Sequence, residues 1–250
     1  MAVAHVCCEM GIPCIDLQHG VQGPAHLAYG AWRSLPLSGC SSIPAYFWCW
    51  DAASAANIRQ WAPKDQHIPF TGGSPWLEHM PSYRPDHRDL QGQVLYSLQP
   101  LARPIPEGLG EVIREQMPDS EWTFRLHPRA LEQAQEVEAW AQMHGIESRV
   151  TVQDPSLFSL PEALHGTKVH VTQYSSVVIE AALSGVRSIA LDQKAVHIFP
   201  EWMINGELRY CPELQMLPAM IRDSPVLLPT SSPSLPLKER LASLLQLTDG

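Results

Sequence analysis

Apolar positions in the second half of the chain form short runs separated by segments with helical spacing. Five runs rich in β-branched or aromatic residues are typical of strands buried on both faces of a sheet. They are Val94 to Leu98, Trp122 to Leu126, Arg149 to Gln153, Lys168 to Thr172 and Arg187 to Leu191. Two of the intervening helical segments end at a glycine, Gly145 and Gly185, a residue favoured at that position. The alternation predicts an α/β fold with a doubly wound, parallel, Rossmann-like sheet.

The first part of the chain has a looser pattern. Short apolar runs at Ile12 to Gln18, Ala45 to Trp50 and His67 to Phe70 predict three strands. Asp51 is a suitable N-cap for a helix over Ala52 to Trp61, since its side chain can accept a backbone N–H of the first turn.

These patterns suggest a domain organisation. We interpret residues 1–73 as a partial first lobe and residues 74–92, which carry prolines and charges with little periodicity, as a linker. Residues 93–230 are predicted to form the Rossmann-like domain, and residues 231–250 a C-terminal helix.

Composition narrows the classes of function. The 250 residues are 45% apolar, with 17 basic and 26 acidic side chains and a net charge of −9. This apolar content excludes intrinsic disorder, and the acidic balance argues against nucleic-acid binding, which needs Lys and Arg against phosphates. No apolar run approaches the ~20 residues of a transmembrane helix.

The spacing of the cysteines and histidines points neither to a disulfide framework nor to a metal site. The six cysteines form no CxxC pair, which favours reduced thiols and a cytoplasmic protein. Peripheral association with the inner face of the membrane stays open. The 11 histidines show no metal-ligand spacing, so no metal is expected.

Position in the predicted sheet selects the candidate ligand-binding residues. Ligands of open parallel sheets bind beyond the carboxyl ends of the strands, where the strand order reverses. With the common order 3-2-1-4-5, the reversal falls between the strands ending at Leu98 and Thr172. The residues that follow these strands and their neighbour include Tyr174, Ser175, Ser176, His127, Pro128 and Arg129.

The chemistry of these residues suits a phosphate. Ser175 and Ser176 open a predicted helix, whose free N–H groups favour an anion. His127 would donate an N–H or, if protonated, neutralise part of a diphosphate. Glu180, one turn into the same helix, would accept hydrogen bonds from ribose hydroxyls. The alternative is structural, because Ser and Glu are common in the first turn of any helix.

Two segments carry a resemblance to a known family. RLHPR (Arg125 to Arg129) and VTQYSSVVIEAALSGVRSIALD (Val171 to Asp192) resemble the nucleotide-binding half of GT-B glycosyltransferases. They look most like the bacterial sialyltransferase, Kdo-transferase and CDP-glycerol glycerophosphotransferase group, of the surface and capsular polysaccharide type. LQHGVQGP (Leu17 to Pro24) is similar to the HG loop of such transferases. HIPFTGGSPWLE (His67 to Glu78) is similar to their last strand before the crossing between lobes.

The resemblance implies roles for individual residues. Nucleotide and phosphate binding is implied for Arg125, His127, Pro128, Arg129, Tyr174, Ser175 and Ser176, with Glu180 on the ribose. His19 would face the cleft from the first lobe and act as general base on an acceptor hydroxyl. Asp16 is the alternative base, and a purely structural role for His19 beside Gly20 is also open.

The implied function is transfer of a sugar or glycerol-phosphate unit from a CMP-, CDP- or UDP-linked donor to a surface glycan, without a metal or cofactor. The alternatives are a UDP-sugar 2-epimerase and a non-catalytic nucleotide-binding lobe. The chain departs from the family pattern in its short first lobe and its lack of a DDG- or EDG-like acidic motif. A fragment, a misassigned start, or a partner that completes the first lobe would explain the short lobe.

Overall fold

The protein consists of two compact units. The first unit comprises residues 1–78 and 231–250, and the second unit comprises residues 79–230. The computed structural model describes residues 2–24, 26–63, 65–78, 92–225 and 235–248. Most of the predicted linker, residues 79–91, therefore lies outside the described residues, whereas residues 75–78 form a short helix of the first unit.

The regular elements have the following bounds in chain order. The strands are β1 (Ile15–Leu17), β2 (Tyr46–Cys49), β3 (Ile68–Thr71), β4 (Gln93–Ser97), β5 (Glu121–Arg125), β6 (Val150–Gln153), β7 (Val169–Thr172), β8 (Arg187–Ala190) and β9 (Leu208–Tyr210). The α-helices are α1 (Ala2–Glu9), α2 (Ala52–Trp61), α3 (Pro75–Glu78), α4 (Leu109–Gln116), α5 (Ala134–Met143), α6 (Leu160–His165), α7 (Val177–Leu183), α8 (Lys194–Ile198), α9 (Pro200–Ile204), α10 (Leu217–Arg222) and α11 (Leu237–Thr248). Short 3-10 helices lie at Leu131–Gln133, Glu147–Arg149 and Leu214–Met216.

The second unit is built on a six-stranded sheet in which every pair of strands is parallel. The strand order is β6-β5-β4-β7-β8-β9. This is the predicted order 3-2-1-4-5, extended by β9, a strand that the sequence pattern does not predict. The order reverses between β4 and β7, where Ser97 lies opposite Thr172. The predicted doubly wound parallel sheet is confirmed.

The first unit contains a three-stranded parallel sheet in the order β1-β2-β3. One face of β2, through Phe47 and Cys49, packs in a buried cluster with Ala55 and Ile58 of α2. Helix α2 begins where the sequence predicts, because the Asp51 carboxylate accepts the N–H of Ser54 at 2.7 Å.

The C-terminal helix α11 belongs to the first unit through one buried arginine. The Arg240 side chain is 4% exposed; its guanidinium pairs with Glu78, donates to the Gly72 carbonyl and lies 5.9 Å from the Trp48 ring. A Cβ at Gly72 would lie 2.0 Å from that ring, so only glycine allows the close approach. Such a buried, multiply bonded charge is costly to leave unpaired.

We therefore predict that Arg240→Met lowers the free energy of unfolding by about 1 to 3 kcal/mol, because it removes the buried hydrogen bond to the Gly72 carbonyl and the pair with Glu78. Urea unfolding followed by circular dichroism measures the change. Lys238→Met on the exposed face of the same helix is the matched control and should change it by less than about 0.5 kcal/mol. Equal effects of the two substitutions would contradict this account of α11.

A buried histidine bridges three central strands of the second unit. His170 of β7 has no exposed surface, and its Nε2 lies 2.7 Å from the Ser97 hydroxyl of β4 and its Nδ1 2.8 Å from the Ser188 hydroxyl of β8. Burial lowers the pKa of His170 to about 3. The ring is therefore neutral, so one nitrogen donates and the other accepts.

This environment makes part of the stability depend on pH. The pKa of His170 is about 6.5 when unfolded and lower when folded, so the unfolded chain binds the extra proton and stability falls as pH drops below 6.5. We predict that His170 accounts for a loss of about 2 kcal/mol between pH 7 and pH 5. Urea unfolding of His170→Asn should lack this loss, and the exposed-site control His197→Asn should keep it. If His170→Asn loses as much stability between pH 7 and pH 5 as the wild type does, the prediction is wrong.

Candidate functional site

The loops on the two sides of the strand-order reversal are tied to each other. The side-chain oxygen of Gln99, just after β4, accepts the N–H of Tyr174, just after β7, at 2.9 Å. The Gln173 amide donates to the carbonyls of Arg103 at 2.8 Å and Pro104 at 2.9 Å. Both predicted strand ends are therefore held in a fixed arrangement around the switch point, which is where ligands of such sheets bind.

The two serines lie at this point, but the helix starts later than the sequence predicts. Helix α7 begins at Val177, and Ser176 is its N-cap residue with no capping bond from its side chain. The Ser175 hydroxyl oxygen accepts the N–H of Val177 at 3.3 Å, and the Ser175 N–H donates to the Thr172 hydroxyl at 3.3 Å. The Ser175 hydroxyl thus caps a backbone N–H at the start of the helix, which is the structural role that the sequence left open as an alternative to phosphate binding. The Ser176 hydroxyl makes no such capping bond.

His127 presents a neutral ring. Its Nδ1 accepts the backbone N–H of Arg129 at 3.1 Å, which places the proton of the neutral ring on Nε2. Burial, and secondarily the charge of Arg129, lowers the pKa of His127. Of the two forms expected from the sequence, the neutral N–H donor is therefore the one that this geometry favours. Pro128 and Arg129 themselves are exposed.

The serines and His127 follow strands that flank the same central strand. Strands β5 and β7 both pair with β4, so their carboxyl ends lie about 10 Å apart, two strand spacings. A diphosphate together with the reach of two side chains spans such a gap. The fold therefore brings these predicted residues to one edge of one sheet.

Arg125 and Glu180 are electrostatically coupled. Arg125 is buried and its Nη1 donates to the Gln153 side-chain oxygen at 2.6 Å. Burial raises the pKa of Glu180 to about 7, and the charge of Arg125 opposes that rise. Burial lowers the pKa of the Arg125 guanidinium, and the charges of Glu180, Asp154 and Glu162 oppose that shift. The buried Arg125 therefore interacts electrostatically with three carboxylates, whereas Arg129 is exposed to solvent.

Another cation lies beside the serine loop. Lys194 follows β8, and its ammonium is 5.0 Å from the centre of the Tyr174 ring and 4.0 Å from the Asp192 carboxylate. The Asp192 N–H donates to the Gln173 carbonyl at 3.4 Å, which joins the two loops. Lys194 is not among the residues predicted from the sequence, although the strand-end rule, applied to β8 as well, would have found it.

The two predicted base candidates lie in strand β1 and in the HG loop that follows it in the first unit. Asp16 of β1 has its pKa raised by burial, and the nearby His19 and His26 oppose that rise. His19 is exposed, with Nδ1 3.4 Å from the Leu17 carbonyl. His26 accepts the N–H of Tyr29 at 2.9 Å and stacks on its ring. The structure therefore couples Asp16 to His19 and adds His26, which the sequence pattern does not predict.

Two negative findings apply to the described part of the chain. Its His, Cys, Asp and Glu side chains form no group of three or more that is arranged to hold a metal ion. None of its helices is both long enough and apolar enough to cross a membrane.

The raised pKa of Glu180 makes the free energy of unfolding depend on pH. Its pKa is about 7 in the folded protein and near 4.5 when unfolded, so the native state holds a proton that the unfolded chain loses, and stability falls as pH rises through this window. We predict that Glu180→Gln gains about 2 kcal/mol of stability relative to wild type between pH 5 and pH 8.

Urea unfolding at the two pH values measures this gain. Glu136→Gln, at an exposed position on α5, is the matched control and should show no such dependence on pH. A constant difference between Glu180→Gln and wild type would mean that Glu180 titrates normally.

Comparison with known proteins gives structural matches only. No protein-family model matches the chain, and no curated protein is similar enough to count as a match. A putative UDP-N-acetylglucosamine 2-epimerase from Listeria monocytogenes is 16% identical, with a TM-score of 0.53 over 89% of this chain and 68% of that one. The UDP-GlcNAc 2-epimerase of Methanocaldococcus jannaschii, in complex with UDP-GlcNAc and UDP, is 16% identical, with a TM-score of 0.53 over 84% and 62%. TarM is 14% identical, with a TM-score of 0.51 over 94% and 50%.

At this level of identity the matches establish the fold. The chain spans about half to two thirds of the length of these solved structures. The share is 50% for TarM, 62% for the Methanocaldococcus protein and 68% for the Listeria protein. Parallel sheets flanked by helices occur in both units. The fold class predicted from the sequence, an α/β fold with a doubly wound, parallel, Rossmann-like sheet, is confirmed.

Proposed function

We propose that the second unit binds the diphosphate of a nucleotide sugar where the strand order reverses, and that the protein is a glycosyltransferase. The observation that carries the proposal is the position of His127 and Ser176 at the carboxyl ends of the two strands that flank β4. The UDP and UDP-GlcNAc named for the Methanocaldococcus structure support a UDP-linked donor, alongside the CMP- and CDP-linked donors that the sequence resemblance suggests.

Each residue has a defined task in this proposal. The hydroxyls of Ser175 and Ser176 and the Nε2–H of His127 donate to phosphate oxygens, and Glu180 accepts from the ribose hydroxyls. Donors fixed in place before the reaction stabilise negative charge as it develops on the departing phosphate. The Tyr174 N–H ties the serine loop to Gln99, the ring of Pro128 fixes the backbone angle directly after His127, and Arg129 supplies an exposed positive charge.

The acceptor base belongs to the first unit in this proposal. His19 is exposed and lies close enough to Asp16 to oppose the rise that burial causes in the pKa of that carboxyl, and an exposed imidazole can take a proton from an acceptor hydroxyl. We assign the base to His19 and place Asp16 and His26 as its neighbours. The finer parts of the same proposal are transfer to a surface glycan and membership of the sialyltransferase-like group. It also includes a cytoplasmic location, with peripheral association at the inner face of the membrane as an alternative, and a partner that completes the first lobe.

The experiment is titration calorimetry of the full chain with UDP, CDP and CMP. We expect UDP binding that weakens about tenfold in Ser176→Ala and in His127→Ala, because each removes a hydrogen bond to a charged ligand worth about 1.5 kcal/mol. Ser148→Ala, at an exposed position before the amino end of β6, is the control and should bind like wild type. Absence of nucleotide binding at millimolar ligand, or binding untouched by both site variants, contradicts the proposal.

A UDP-sugar 2-epimerase is the second candidate, because the similar solved structures include the UDP-GlcNAc 2-epimerase of Methanocaldococcus jannaschii and a protein described as a putative UDP-N-acetylglucosamine 2-epimerase. Product analysis with UDP-GlcNAc separates the candidates. Epimerisation needs no acceptor and yields a new UDP-sugar, whereas transfer requires the acceptor and releases free UDP. Binding without either product would favour the non-catalytic nucleotide-binding lobe.

A further inference from the structure

The residues assigned to the diphosphate supply more hydrogen bonds than charge. His127 is held as a neutral donor by the Arg129 N–H. Arg125 is buried, bonded to Gln153 and set in the field of Glu180. A diphosphate carries two or more negative charges, and charge-assisted hydrogen bonds from ammonium or guanidinium groups are the strong ones in phosphate binding. Arg129 supplies an exposed positive charge on the His127 side, so the serine side of the proposed site calls for a cation of its own.

Lys194 is placed to provide that cation. Its strand, β8, is the neighbour of β7 in the sheet, so the residues after both strands emerge at the same edge. The Lys194 N–H is bonded to the Asp192 carboxylate at 2.8 Å, which fixes the backbone at this point. The ammonium lies 5.0 Å from the centre of the Tyr174 ring, and Tyr174 directly precedes Ser175 and Ser176.

The Lys194 side chain is exposed and weakly held. It is 66% exposed, and within the described part of the chain its ammonium has a 4.0 Å pair with Asp192 and lies over the face of the Tyr174 ring. Both kinds of contact are weak at an exposed position. A phosphate offers the ammonium a full negative charge and short hydrogen bonds, so a nearby phosphate outcompetes both contacts.

We propose that Lys194 binds the diphosphate of the nucleotide. In the free protein its ammonium rests on the Tyr174 ring beside Asp192, and in the complex it turns to the phosphate oxygens next to Ser176. Tyr174 acts as a positioning residue, since its ring holds the flexible lysine at the edge of the site. This inference rests on the proposed nucleotide binding and adds to it a residue that sets the affinity for phosphate over nucleoside.

The test compares Lys194→Met with wild type by calorimetry, using UDP, UMP and uridine as probes. We expect Lys194→Met to weaken UDP binding about tenfold, to weaken UMP binding less and to leave uridine binding unchanged, because only the phosphates lose a partner. Lys194→Arg should recover most of the UDP affinity. Lys168→Met, which removes the same charge before the amino end of β7, is the matched control and should bind all three probes as wild type does.

The other outcomes overturn the inference in distinguishable ways. UDP affinity within twofold of wild type in Lys194→Met shows that Lys194 is an ordinary surface residue, while nucleotide binding by the wild type still stands. An equal loss for UDP and uridine assigns the effect to the base site or to folding. If wild type binds none of the three probes, the proposed function falls and the role of Lys194 falls with it.

Discussion

The reversal of strand order between β4 and β7 is the constraint on which the candidate site depends. Crossover connections leave these strands in opposite directions, so a crevice opens beyond their carboxyl ends. The hydrogen bond from the Tyr174 N–H to the Gln99 side-chain oxygen joins the two loops across that crevice. The residues assigned to the nucleotide in the proposal follow β7 or the strands β5 and β8, which lie next to the two strands at the reversal. Because His127 is neutral, the positive charge that would balance a bound diphosphate has to come from cations at the same edge, Arg129 and Lys194.

Most of the second unit could be predicted because its strands are buried on both faces and read as continuous apolar runs. The run at β7 is still recognisable with His170 inside it, since the ring is neutral and bonded to two serines. Strand β9 escapes prediction because it has three residues at the sheet edge and a charged centre, Arg209. The place of α11 in the first unit also has no local signal, since it depends on Arg240 meeting Glu78, 162 residues away.

The site could be predicted as far as strand ends determine it, which covers His127 and Ser176. The rest depends on contacts that no pattern encodes. The proton position on His127 follows from the backbone N–H of Arg129, and the capping role of Ser175 from the exact residue at which α7 begins. His26 lies in an irregular loop without periodicity, so only the folded chain shows its coupling to Asp16.

The most direct test of the account is a crystal structure of the protein with UDP bound. The account predicts phosphate oxygens within hydrogen-bond distance of the Ser176 hydroxyl and of Nε2 of His127, at the carboxyl edge of the six-stranded sheet. UDP bound at another place, or a diphosphate that touches neither side chain, would contradict it.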